Sequence, residues 1–301
     1  MDSYTLTIVA VGSLAAASCG FIGCFLVLRR MALLGDAISH SVLLGIVLAF
    51  LITGDRGIVP MFLGAAAFGL LTAVAVQGLE QGGVTADAAI GVTFTSFFAL
   101  GVVLLTLFAG RVHLDLEHVL YGEIAYTPWD VWIVGDTVLG ARALWTMGGV
   151  LLLNLTLVGL FFKEFKICAF DPAMAVAVGI PVALFHYVLM GLVSFTTVAA
   201  FESVGAILAV AMLIVPAATA YLITDSLKVM LGLSVLFGVL SAIGGYAFAT
   251  WIDCSISGAM ATVAGALFAL TLLFSPTHGT LSKLRSRTHP NRGRMRADMV
   301  Q

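Results

Sequence analysis

Charge is scarce in this chain. Only 10% of its 301 residues are Asp, Glu, Lys or Arg, where a soluble domain carries about a quarter. With 61% hydrophobic residues and a mean hydropathy of +1.11, an ordinary soluble domain is excluded. An integral membrane protein with several spans is implied, with short loops and no stretch that resembles a globular core. Cysteine is also scarce. Cys19, Cys24, Cys168 and Cys254 are scattered in mostly apolar surroundings, which suggests neither a disulfide framework nor a thiolate metal site. No Gly-x-x-x-x-Gly-Lys-Ser/Thr loop occurs, so any ATP used by this system would be bound by another chain. No His-Glu-x-x-His occurs either, which argues against an intramembrane metalloenzyme. Met1 to Thr5 lack the basic start of a cleavable signal peptide, so the first apolar segment is expected to remain as a span.

What is present is one apolar run after another. A span needs about 20 apolar residues. Runs of that kind fall at 6–28, 33–53, 60–79, 88–110, 143–162, 182–201, 204–223, 229–251 and 257–275. This predicts an all-α polytopic bundle of about nine transmembrane helices. The sixth and seventh runs are separated only by Glu202 and Gly205, which leaves eight as the other count. Arg29 and Arg30, Lys163 and Lys166, Lys228 and the basic tail all fall on one side if there are nine spans and the N-terminus is outside. Arg56 and Arg111 oppose that orientation. Residues 1–280 are read as the membrane domain and 281–301 as a disordered cytoplasmic tail. The last twenty residues hold six of the fourteen basic residues. Such a tail is read as a positive-inside anchor near anionic lipid rather than a nucleic-acid contact. Glycines such as Gly12, Gly20, Gly23, Gly191, Gly232 and Gly238 are read as points of close helix approach that also allow one bundle to move against another.

Against this apolar background, Gly35-Asp36-Ala37-Ile38-Ser39-His40-Ser41 stands out. An acid and a histidine four residues apart share one helix face. Ionisable side chains are costly in a bilayer, and by default they mark a path for an ion, proton or substrate. One carboxylate and one imidazole suit a divalent transition metal. The plainer alternative is structural: Asp36 capping the second helix and His40 bonding a nearby carbonyl. Glu202 would add a second carboxylate, or serve as a gate or a solvated turn. Asp87 reads as a helix-start residue, Asp253 as an outer-loop acid, and His186 as facing a neighbouring helix or the lipid interface.

Two loops carry further signals. Residues 111–142 form the longest one, with Arg111, His113, Asp115, Glu117, His118, Tyr121, Gly122, Glu123, Trp129 and Trp132. They read as a solvated loop with an interfacial tryptophan belt, as a partner-docking surface, or as a metal attractor. In the loop after the fifth span, Asp171 is a good N-cap, Pro172 a good first helical residue and Gly179 a natural stop, followed by Pro181. A helix of about two turns is predicted there. It is either a connector or an element that fits a partner's groove with the small face of Ala173, Ala175 and Ala177.

Taken together, three stretches resemble the permease subunits of the manganese/zinc/iron ABC importers. They are Gly35–Ser41 with Val42-Leu43-Leu44-Gly45, Phe170-Asp171-Pro172 with Ala175 and Gly179-Ile180-Pro181, and Ala200–Leu208 running on to Ala220. Gly258-Ala259-Met260 and Phe274–Gly279 extend the likeness, which covers about residues 5–280. The resemblance implies a transport subunit rather than an enzyme, with no permanent cofactor and Mn2+, Zn2+ or Fe2+ as cargo. It implies a second permease copy or paralogue, cytoplasmic ATP-binding subunits, an extracytoplasmic metal-binding protein, and a bacterial inner-membrane location. Asp36 and His40 carry over as metal-path residues, and Glu202 less directly. Phe170, Asp171, Pro172, Ala175 and Gly179 carry over as the coupling helix to the ATPase. Leu44 departs from the family motif, which often has proline there, so a straighter second helix is expected.

The donor set favours manganese or iron slightly over zinc, and affinity should fall in acid because the ligands must be deprotonated. The topology places Asp36 and His40 near the inner end of one span and Glu202 near the outer end of another. One site could not hold all three across about 20 Å of bilayer. They would serve successive stations unless helices are broken or offset. The competing reading is an ion-coupled secondary transporter acting without an ATPase, with these residues as a proton relay.

Overall fold

The computed structural model describes residues 3–54, 58–108, 124–134 and 137–275. The basic tail at 281–301, the cluster from Arg111 to Glu123, Arg56 and the Thr277-His278-Gly279 end of the family motif lie outside the described residues. The elements are α1 (Ser3–Leu28), α2 (Ala32–Thr53), α3 (Ile58–Gln81), α4 (Ala86–Phe108), a 3-10 turn (Ile124–Tyr126), β1 (Val131–Val134), β2 (Thr137–Ala141) and α5 (Arg142–Leu160). There follow α6 (Phe162–Phe170), α7 (Pro172–Ala177), α8 (Val182–Val204), α9 (Ala206–Tyr221), α10 (Leu227–Ile252) and α11 (Ile256–Phe274). Among the described residues, eight helices are long and apolar enough to cross a membrane, and α9 is a shorter apolar helix of 16 residues. The all-α polytopic architecture read from the sequence is the observed one.

α1 is the hub. Every residue from Ala15 to Leu26 is buried, as befits a helix that is apolar all round. It packs against α5, α8, α9 and α10. Small residues permit this: a Cβ on Gly23 would sit 1.8 Å from the Leu213 carbonyl oxygen of α9, so any larger residue would push the two helices apart. Gly20 and Gly238 also sit at close contacts, whereas a Cβ on Gly191 or Gly232 would meet nothing within 4 Å among the described residues. Buried hydroxyls bond across helices. Ser234 donates to Gly20 O at 2.8 Å, Ser194 to Ala66 O at 2.9 Å, and Thr72 to Ser41 Oγ at 2.7 Å. Such bonds hold helices together where lipid supplies no hydrophobic drive between them.

The apolar run at 182–223 divides at Gly205, whose φ of 87° and ψ of 162° are open in practice only to glycine. The chain reverses there, so α8 and α9 are two helices. α2 runs unbroken through Leu44, which is buried. Asp87 lies in the first turn of α4, and Asp253 ends α10 in the left-handed conformation.

The bundle has two distinct ends. At one, Tyr4 at the start of α1 donates to Ala125 O at 2.6 Å, and Ser257 of α11 reaches Val204 O at the end of α8. The β1–β2 hairpin pairs Val131 with Ala141 and Val134 with Thr137, and leads into α5 at this same end. At the other end lie α6 and α7. Phe165 of α6 packs on Phe25 of α1 at 5.7 Å and on Phe185 of α8 at 5.3 Å between ring centroids. Lys228, at the start of α10, stands 5.7 Å from the Phe162 ring, a cation–π contact.

Candidate functional site

Asp36 is the fifth residue of α2, and the N-cap position belongs to Met31. Asp36 therefore does not cap the helix. Its Oδ1 lies 3.8 Å from His40 Nε2, and the side chains are 46% and 37% exposed respectively. Both side chains can thus be reached from outside the chain. The His40 ring packs against Phe94 and Phe98 of α4, with centroids 5.5 and 5.7 Å apart. The aromatic wall fixes the ring on one side and leaves the carboxylate and imidazole on a common open face.

Glu202 is not part of that cluster. Among the described residues, no group of three or more His, Cys, Asp or Glu is placed to hold one metal ion. At about 100° per residue, Asp36 and His40 share one face of α2, while Val42 and Ile46 point roughly 120° away. Those two line a cavity of about 190 Å³ with Met61, Phe62, Val198 and Glu202. Glu202 is thus on the far side of α2 from the pair. It is also separated in depth. Asp36 and His40 lie about 6 and 12 Å along α2 from the α6–α7 end, and Glu202 about 30 Å along α8 from the same end. The charged neighbours of Glu202 are Arg142 and Asp130, both at the hairpin end.

The predicted short helix is present and closed at both ends. Asp171 Oδ1 accepts from Met174 N at 2.9 Å, and Pro172 occupies the first turn. At the other end, Ile180 N bonds to Ala175 O and Gly179 N to Val176 O, a Schellman motif with Gly179 at φ 85°. Of the three alanines, Ala175 is fully buried against its own chain, whereas Ala173 and Ala177 are exposed, as are Phe170, Met174, Val176 and Val178. The buried small residue allows the helix to lie close to the bundle, and the larger side chains project from it.

Sequence reasoning missed a junction at this end. Arg29 served only as an orientation signal and His186 only as a packed residue. In the structure, Arg29 Nη1 is 3.0 Å from His186 Nδ1, and Nη2 donates to Cys168 O at 3.3 Å. One side chain therefore links the end of α1 to α8 and to α6. The available signal was an arginine pair placed directly after the first span.

A model of the ABC 3 transport family matches residues 1–275. This chain belongs to that family. It is 58% identical over 281 residues to the manganese transport system membrane protein MntD of Bacillus subtilis (strain 168), covering 93% of this chain and 95% of the relative. It is 45% identical over 285 residues to the zinc transport system membrane protein TroD of Treponema pallidum (strain Nichols), covering 93% and 76%. Among solved structures, it matches a chain of PsaBC from Streptococcus pneumoniae in complex with Fab, with a TM-score of 0.77 and 35% identity over 95% of this chain and 96% of that one. Members of the ABC 3 transport family are non-enzymatic, multi-pass permease components whose ATP hydrolysis resides in a separate subunit. The family supports that reading of the sequence over a carrier acting alone.

Proposed function

We propose that this chain is the permease subunit of an importer for divalent transition metals, with manganese favoured and zinc or iron as further cargo. The observation that carries the reading is the Asp36–His40 pair, one carboxylate and one imidazole 3.8 Å apart on an otherwise apolar helix. Those donor types suit manganese, iron and zinc alike, and relatives bearing manganese and zinc names are both close in sequence. Two protein ligands leave positions free on an ion that prefers four to six. Water and a second permease chain would complete the shell, and the incomplete shell suits an ion that must be released.

Glu202 serves a separate station toward the opposite end of the path. Arg142 acts on it electrostatically, so it is better placed to open or close that end than to share an ion with Asp36. The α6–α7 end faces the cytoplasm, because Arg29, Arg30, Lys163, Lys166 and Lys228 all gather there. The N-terminus is then outside. Phe170, Asp171, Pro172, Ala175 and Gly179 build the element that docks on the ATPase: the capping groups fix it, Ala175 seats it, and its exposed apolar side chains enter the partner. An extracytoplasmic metal-binding protein would deliver the ion to the hairpin end.

The test is metal uptake in proteoliposomes containing this chain, its ATPase and its binding protein, with Asp36→Ala and His40→Ala beside the wild type. Manganese and zinc are supplied in parallel, with and without ATP. ATP-dependent uptake abolished in both assembled variants supports the path through this pair, and the faster metal names the cargo. Uptake unchanged in both variants sinks the assignment.

A further inference from the structure

Arg29 is a partly buried cation that, among the described residues, has no carboxylate partner. Its two hydrogen bonds go to neutral acceptors, His186 Nδ1 and the Cys168 carbonyl. A guanidinium only donates, so His186 Nδ1 accepts and its proton sits on Nε2. That Nε2 is buried with no partner, as is Gln77 Oε1 at the end of α3. The groups that act on Arg29 are its own burial, which disfavours its charge, and the Cys168 thiol. Buried charges are normally paired, because an uncompensated one is costly.

All four polar residues, Arg29, Arg30, Gln77 and His186, line one cavity of about 560 Å³ at the α6–α7 end. Among the described residues, none that lines it is acidic. The rest of the wall is mainly apolar, including Leu28, Met31 and Val182. Two arginines and a ring N–H form a donor set for a tetrahedral oxyanion, since a guanidinium fork matches phosphate oxygens. The position narrows the source. The cavity opens where α1, α3 and α8 end, at the level where spans leave the hydrocarbon and basic pockets meet lipid headgroups. The apolar wall suits a glycerol backbone better than it suits a free hydrated ion.

We propose that this cavity binds the phosphate of an anionic phospholipid, held by Arg29 and Arg30 between the ends of α1, α3 and α8. The bound phosphate supplies the counter-charge that the described residues lack there. Its position beside Cys168 and Pro172 makes the lipid part of the surface on which α6 and α7 rest.

The test uses the full chain copurified with its ATPase. Native mass spectrometry measures retention of phosphatidylglycerol against phosphatidylcholine for the wild type, Arg29→Gln, Arg30→Gln and Lys163→Gln. Arg30 and Lys163 are exposed, so both variants should fold even if Arg29→Gln does not, and Lys163 stands outside the cavity lining as a control for general charge. Phosphatidylglycerol should be preferred by the wild type. Arg30→Gln should weaken that preference roughly fivefold, the factor for one basic residue at an anionic surface, and Lys163→Gln should leave it intact. Thermal unfolding in lipid-free detergent with inorganic phosphate separates the sources. Stabilisation by phosphate without any phosphatidylglycerol preference keeps the phosphate site and removes the lipid. Equal retention of both lipids together with no effect of phosphate overturns the proposal, and assigns the missing charge to a carboxylate on a partner chain.

Discussion

Asp36 and Glu202 are both acids in an apolar bundle, yet they sit in opposite settings. Asp36 has an imidazole at 3.8 Å on its own helix, and a wall of Phe94 and Phe98 orients that imidazole. Glu202 stands at the edge of an apolar cavity with an arginine and an aspartate as its charged neighbours. The first setting pairs a carboxylate with an imidazole. The second already contains a cation. An acid in a membrane helix therefore does not by itself define a metal ligand. The charge and donor type of its nearest partner decide what the acid can hold.

That contrast can be broken at several points. The largest expected effect is on transport: Asp36→Ala and His40→Ala should each lower metal uptake by about 100-fold or more, since losing even an outer-shell partner of a metal costs about 10–100-fold. An equal loss in Glu202→Gln would erase the distinction between the two acids. Next comes Gly205→Ala, which forces a side chain into a conformation costing about 1–3 kcal/mol. Thermal unfolding should show the destabilisation, and uptake should fall in step because Glu202 and the start of α9 shift together. Asp171→Ala removes the cap of α7 at about 1 kcal/mol. Its signature should be ATP hydrolysis that no longer tracks metal delivery, with the Asp36–His40 pair unaffected. The smallest effect is Glu202→Gln itself. An exposed charge beside an arginine contributes about 0–1 kcal/mol, so uptake measured at saturating metal should change by no more than about fivefold.

Much of this molecule is written in its composition. Apolar runs of about 20 residues locate the helices to within a few residues, and the Asp171–Pro172–Gly179 pattern predicts both ends of α7. The chemistry of caps and turns is local, so it can be read locally. What escapes is facing. α1 is apolar all round, and nothing in its sequence distinguishes the side toward α9 from the side toward α10. The same holds for α2, where His40 and Val42 are two residues apart and only the three-dimensional arrangement assigns one to α4 and the other to the Glu202 cavity. α6 was hidden because it follows α5 with only Phe161 between, so its residues read as loop. The β1–β2 hairpin was hidden because strands of four and five residues carry too little alternation. The Arg29–His186 contact joins residues 157 apart in sequence, beyond any local pattern.

The short helix α9 has a consequence of its own. Sixteen residues rise about 24 Å, against roughly 30 Å of hydrocarbon. Its neighbours α1 and α10 have 26 residues each and rise about 39 Å. The turns that flank α9 therefore lie within the depth those two helices span. Backbone groups that leave a helix at that depth must be satisfied inside the protein rather than by lipid, and Gly205 N does so by bonding back to Phe201 O.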